Sequence, residues 1–131
     1  MKERIAELVK SFDLKPHPEG GWYAETYRSN QTIEKGERNL LTSIYFLITS
    51  ENVSRFHRIK SDELWFFHEG SALTVHTLDE NGHTPHKLGL NIENREQPFL
   101  LVKANTIFGS SIDVENGYAL VSCAVAPGFD F

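Results

Sequence analysis

One cysteine in 131 residues leaves no partner for an intramolecular disulfide, so an oxidised staple is excluded and a reducing compartment is favoured. Positive charge is also scarce: 13 Lys and Arg stand against 18 Asp and Glu, for a net charge of -5. Binders of phosphate backbones concentrate cations on one face, so nucleic acid is not an expected partner. No apolar run approaches the roughly 20 residues that a bilayer span requires, and no membrane partner is expected. The opening Met1-Lys2-Glu3-Arg4 is charged where a secretory leader would be apolar, which makes the expected location cytoplasmic. Linkers, repeats and low-complexity tracts are missing too, so residues 1–131 read as one domain.

What is present is a short helix and many strands. Ile5, Leu8, Val9 and Phe12 recur at helical spacing and predict an amphipathic helix from Lys2 to Phe12. Pro16, Pro18, Gly20 and Gly21 stop it and predict a shaped loop, suited to a lid or to a subunit contact. Branched and aromatic segments then follow at Trp22–Tyr27, Leu40–Ile48, Arg55–Ile59, Leu64–Phe67, Ala72–Leu78, Phe99–Val102 and Ala119–Val125. Asn81-Gly82 predicts a type I′ hairpin turn, and Asn116-Gly117 repeats the signal before a last segment apolar enough to be covered on both faces. The spacing is that of an all-β sandwich or barrel.

One stretch carries chemical information. His57 is followed by Glu63 and then Gly70, a spacing that lets His57 and Glu63 face one barrel interior from neighbouring strands while Gly70 makes the next turn. It resembles the first motif of the cupins, with Ile59 at the place of that motif's second His. The second cupin motif aligns by register only, through Gln97, Lys103, Asn105, Phe108 and Ile112, none of which keeps the motif's residue; Asn105 tolerates the left-handed backbone that a turn glycine would supply. Pro16 to Ser29, Ser54 to Glu63 and the terminal Ala126-Pro127-Gly128-Phe129-Asp130-Phe131 resemble the DUF985 (cupin-5) branch of the RmlC-like cupins, and the likeness runs over nearly the whole chain. That family often has His at the place of Phe66 and a Val-Pro-Ala-Gly-Thr-Trp-like run where this chain has Val102 to Ile107. The resemblance implies an all-β double-stranded β-helix, the cupin jelly roll, with one N-terminal α-helix and the Ala126–Phe131 tail closing it. It also implies a homodimer joined through an outer sheet face, in a family of unknown function.

The residues then suggest a site. A metal needs about three converging donors and the register offers His57 and Glu63 alone, so neither metal nor cofactor is expected. An imidazole oriented by a carboxylate is a general base, so His57 as base and Glu63 as its orienter would suit isomerase or epimerase-like proton abstraction beside a carbonyl. Period-two alternation adds Arg55 beside His57, and Trp65 and Phe67 beside Glu63; Tyr45, Arg28 and Phe108 complete the expected contacts to a small polar or aromatic metabolite. Two rivals stand beside this reading: a binder that holds the ligand without turning it over, and a metal-dependent oxygenase, which would need His17, His68 or His76 to enter the cavity. Cys123, inside an apolar strand, reads as an inert core thiol.

Overall fold

The structure is a computed structural model that describes residues 2–129; Asp130 and Phe131, the end of the expected closing tail, lie outside the described residues. Helix α1 spans Lys2–Ser11 and lays its apolar stripe on the outer face of a sheet, where Leu8 and Leu14 are buried with Leu47 and Leu120. Phe12 sits just past the helix end and packs its ring on Tyr45 at 4.9 Å. Arg4 ties the other end down, pairing with Glu7 and with Glu69, and Glu69 also accepts a hydrogen bond from Tyr118 Oη.

Twelve strands follow: β1 (Lys15–Pro16), β2 (Trp22–Arg28), β3 (Thr32–Ile33), β4 (Arg38–Asn39), β5 (Thr42–Thr49), β6 (Ser54–Arg58), β7 (Asp62–Gly70), β8 (Leu73–Asp79), β9 (Gly82–Leu88), β10 (Phe99–Val102), β11 (Ile107–Ile112) and β12 (Tyr118–Ala126). One antiparallel sheet has the order β1-β2-β5-β12-β7-β10, the other β6-β11-β8-β9, and β3-β4 form a small ribbon beside them. The two larger sheets face each other as the halves of a jelly roll, and their inner faces supply one core in which Phe46, Ile48, Trp65, Leu73, Val75, Leu88, Phe108 and Val121 are buried. β12 lies between β5 and β7 and is buried at most positions, as its continuous apolar sequence requires.

Two of the longer strands, β9 and β11, lay outside the segments expected from sequence, as did the two-residue β1, β3 and β4. β9, Gly-His-Thr-Pro-His-Lys-Leu, is polar and mostly exposed because it is a sheet edge, where Pro85 leaves no ladder donor wasted. β11, Ile-Phe-Gly-Ser-Ser-Ile, has small residues because it is sandwiched between β6 and β8. The β8–β9 hairpin forms at the expected place but pairs Asp79 with Gly82, so its two loop residues are Glu80 and Asn81 and only Gly82 of the expected Asn81-Gly82 pair takes positive φ.

Gly70 adopts φ +106°, and a Cβ there would lie 2.1 Å from the Tyr118 carbonyl oxygen; Gly82 has nearly the same φ, +107°, with nothing within 4 Å. Gly82→Ala therefore meets backbone strain alone, about 1 kcal/mol, whereas Gly70→Ala adds a clash with a central strand and is expected to destabilise by about 2 kcal/mol or more. The midpoints of urea unfolding, compared at constant m, check this order.

Candidate functional site

Two β-bulges decide which side chains enter the barrel. In the β6–β11 pair His57 lies opposite Phe108 and Ser54 opposite Ser110, so Arg55 and Phe56 together face Gly109. The extra residue breaks simple alternation, turning Ser54 and His57 inward and leaving Arg55 and Phe56 exposed. The β2–β5 pair repeats the device at Thr26: Glu25 lies opposite Ile44 and Arg28 opposite Thr42, and both line the barrel mouth. Spaced three apart, they form an ion pair at 2.7 Å.

His17, Tyr23, Glu25, Arg28, His57, Ile59, Glu63, Cys123 and Phe129 line one chamber, which leaves about 60 Å³ open to water-sized molecules. Its deep end, about 30 Å³ more, is lined by Ser54, Trp65 and Phe108 together with His17, His57, Glu63 and Cys123. Aromatic rings run around it in contact: Tyr23 to His17 at 5.1 Å, His17 to Phe46 at 5.5 Å, Phe46 to Trp65 at 6.0 Å, Trp65 to Phe108 at 6.2 Å and Phe108 to His57 at 4.4 Å. The two imidazoles stand at either side of this girdle.

The bulged residue Arg55 organises both imidazoles through its main chain. Its carbonyl lies 2.7 Å from His57 Nδ1; a carbonyl only accepts, so Nδ1 carries the proton and a neutral ring keeps its lone pair on Nε2. Its N–H donates to the Glu19 carbonyl at 2.7 Å and so holds the Pro16–Gly21 loop against β6. Within that loop His17 Nδ1 accepts from the Glu19 N–H at 3.0 Å. Burial, and next the neighbouring His57, push the His17 pKa down. Glu63 is buried beside the Cys123 thiol and the Trp65 indole, and burial pushes its pKa up to about 7, an effect those two neighbours only partly offset. Burial, with Glu63 alongside, also pushes the Cys123 thiol well up, which makes it a poor nucleophile. The Trp65 N–H is close enough to favour the carboxylate, yet it is buried and completes no hydrogen bond.

Set against the expected residues, His57, Glu63, Arg28, Trp65 and Phe108 come together in the chamber, and three do not. Arg55 points outward because of the bulge opposite Gly109. Tyr45 is on the outer face of β5, under α1 and near His68. Phe67 is on the inner face but packs in the core below the chamber. Glu63 makes no hydrogen bond to His57; Arg55's carbonyl holds that ring instead. Of the three reserve histidines, His17 reaches the chamber, while His68 bonds Ser122 and His76 bonds His83 and Ser111 outside it. Alternation could not have found His17, since it comes from a loop; the dense Pro and Gly of that loop was the available signal.

Ile59 and Phe108, which stand by register where the cupin motifs carry further His, present hydrocarbon to the chamber, and no three of His, Cys, Asp and Glu group as a metal requires among the described residues. The donor set therefore does not fit a resident divalent ion.

Two facing sheets enclosing a titratable chamber define a jelly-roll barrel of the cupin class. Residues 6–131 match the family described as Cupin superfamily (DUF985), and the chain belongs to it. Its relatives include protein SO0799 from Shewanella oneidensis, whose crystal structure superposes with a TM-score of 0.89 at 41% identity over 95% of this chain and 78% of that one. A hypothetical protein from Leishmania major gives 0.87 at 39% identity, over 95% and 82%. An uncharacterized protein of Saccharomyces cerevisiae, YML079W, is 27% identical over 145 residues, 97% of this chain and 72% of its own length. Oxalate decarboxylase of Bacillus subtilis shares the fold alone, with a TM-score of 0.61 at 17% identity over 88% of this chain and 28% of that one.

A carboxyl whose folded pKa of about 7 exceeds its ordinary 4.5 stabilises the fold fully below pH 4.5 and loses that contribution as pH rises through 7. Glu63→Gln is expected to remove a decline on the order of 3 kcal/mol between pH 4 and pH 8. His17 acts oppositely, below its ordinary 6.5, so the difference between variant and parent in urea unfolding across that range isolates Glu63.

Proposed function

We propose that this cupin binds a small polar metabolite in the chamber and performs acid–base chemistry on it of the isomerase or epimerase type, without a metal. The observation that carries the reading is one small enclosed space lined by both an imidazole of fixed tautomer and a buried carboxyl that titrates near neutrality. His57 supplies the lone pair on Nε2 as base. Glu63, half protonated near pH 7, supplies a proton on release or shares one with a substrate oxygen. Its role is thus that of an acid partner, while the Arg55 carbonyl orients the base. Arg28, fixed by Glu25, Asn39 and the Phe129 carbonyl, frames the mouth.

The rival reading, a binder without turnover, is favoured by one specific observation: His57 and Glu63 lack a direct hydrogen bond, so no preassembled dyad waits for substrate. Proton abstraction beside a carbonyl leaves a mark that does not require the product to be known. Small ketoses and 2-oxo acids incubated in D2O with the protein are expected to exchange their α-hydrogens. Chemical-shift mapping is expected to place them at Ile44, His57 and Cys123. His57→Gln is expected to lower exchange at least a hundredfold while the shifts persist. Shifts without exchange would leave the binder; no shifts would remove both.

We propose further that the chain pairs with a second copy through the part of the outer face that α1 leaves bare, where Phe66, Phe99 and Leu101 are exposed and the Phe66 and Phe99 rings lie 5.5 Å apart. Light scattering is expected to give twice the chain mass, and Phe99→Lys to halve it.

A further inference from the structure

The deep end of the chamber carries a polar demand that the protein leaves unmet. Trp65 is only 2% exposed, its indole N–H has no hydrogen-bond partner, and it lines the space that Glu63, Cys123, His57, His17 and Ser54 also line. A buried N–H without a partner forfeits about 1–3 kcal/mol, so a group that supplies an acceptor there recovers free energy that a purely apolar occupant cannot. Next to it stands a carboxyl with no ion pair among the described residues, whose proton, when present, is a second donor aimed at the same volume. The matching occupant presents oxygen acceptors.

We infer that the deep end takes the carboxylate of a small organic acid of two to four carbons, which accepts from the Trp65 indole N–H and shares a proton with Glu63. The inference rests on the small-molecule reading above and names its ligand class. Size sets the carbon limit, because roughly 60 Å³ of open space and the 30 Å³ of the deep end together hold about six water-sized groups, as many as lactate or pyruvate has non-hydrogen atoms. Charge sets the rest. Two carboxylates side by side cannot both ionise at low cost, so the pair holds one proton between them, as paired carboxylates do elsewhere. Glu63 gives up little to be the protonated member, since burial already favours that form.

The groups that face Glu63 agree with an anionic guest. From β7 itself comes the Trp65 N–H, from β12 the Cys123 thiol with its pKa pushed up, from β6 the His57 imidazole, and from the loop His17. β2 contributes the Arg28 guanidinium and Glu25, the latter already paired with Arg28. A cationic guest would meet an arginine and a carboxyl that resists ionisation. A neutral amide or polyol satisfies the indole but has no reason to respond to the ionisation of Glu63.

Titration calorimetry and indole NMR with acetate, lactate and pyruvate, against propionamide and glycerol as neutral controls, test this. Only two tryptophans are present, so the Trp65 indole proton is assignable from Trp22→Phe as well as from Trp65→Phe. The expected result is binding of the acids with a downfield shift of that proton. Affinity is expected to fall about tenfold from pH 6 to pH 8 as the protonated fraction of Glu63 falls. Glu63→Gln is expected to bind with no such pH dependence, and Trp65→Phe to bind at least fivefold more weakly. Should Trp65→Phe misfold, the wild-type indole shift still decides. Acid binding that ignores pH, or that leaves the Trp65 proton unmoved, overturns the inference. So does binding of propionamide or glycerol in preference to the acids, which spares the small-molecule reading. Silence from all five compounds overturns the inference and counts against that reading too.

Discussion

Gly109 has no room for a side chain. A Cβ there would sit 2.9 Å from the Ser54 carbonyl oxygen and 3.1 Å from the Phe56 nitrogen, so only glycine lets β6 bulge against β11. That bulge takes Arg55 out of the ladder and frees its main chain for other work. Its carbonyl fixes the tautomer of His57, and its N–H holds the Glu19 carbonyl and with it the loop that brings His17 inward. One backbone irregularity thus assembles imidazoles from two distant parts of the chain, which is the use to which bulges near functional sites are commonly put.

The polar groups of the chamber are incompletely matched. Glu63 is placed among sulfur, indole and aliphatic carbon with no cation bonded to it, and burial alone moves its titration to neutrality. Ile59 and Phe108 stand by register where the cupin motifs carry further His, and Phe108 packs its ring at a tilt against His57 and edge-on against Trp65. The exchange of donors for hydrocarbon lowers the dielectric around the remaining carboxyl, which is the condition under which proton sharing is strongest. Very different proteins, oxalate decarboxylase among them, share the barrel, so the fold by itself does not name the chemistry.

Much of the architecture was written locally. The helix followed from spacing at Ile5, Leu8 and Val9, most core strands from runs of branched and aromatic residues, and the left-handed Asn105 and Gly70 from their conformational tolerance. β9 and β11 were hidden because their residues answer to an exposed edge and to close neighbours, and neither pressure leaves a period-two signature. Glu63, Trp65 and Phe67 share the inner face as strict alternation requires.

Alternation along β7 by itself determined that Glu63, Trp65 and Phe67 share the inner face, because a strand's geometry carries that information along its own length, while the spacing of His57 and Glu63 pointed to a shared interior through its likeness to a cupin motif. Tertiary structure alone decided that Arg55 faces out, that Arg28 joins Glu25 at the mouth, that Tyr45 lies under the helix, and that His17 enters from a loop. A bulge exists only against a partner strand, and a loop's course is set by what it leans on. Neither is a property of the residues that display it.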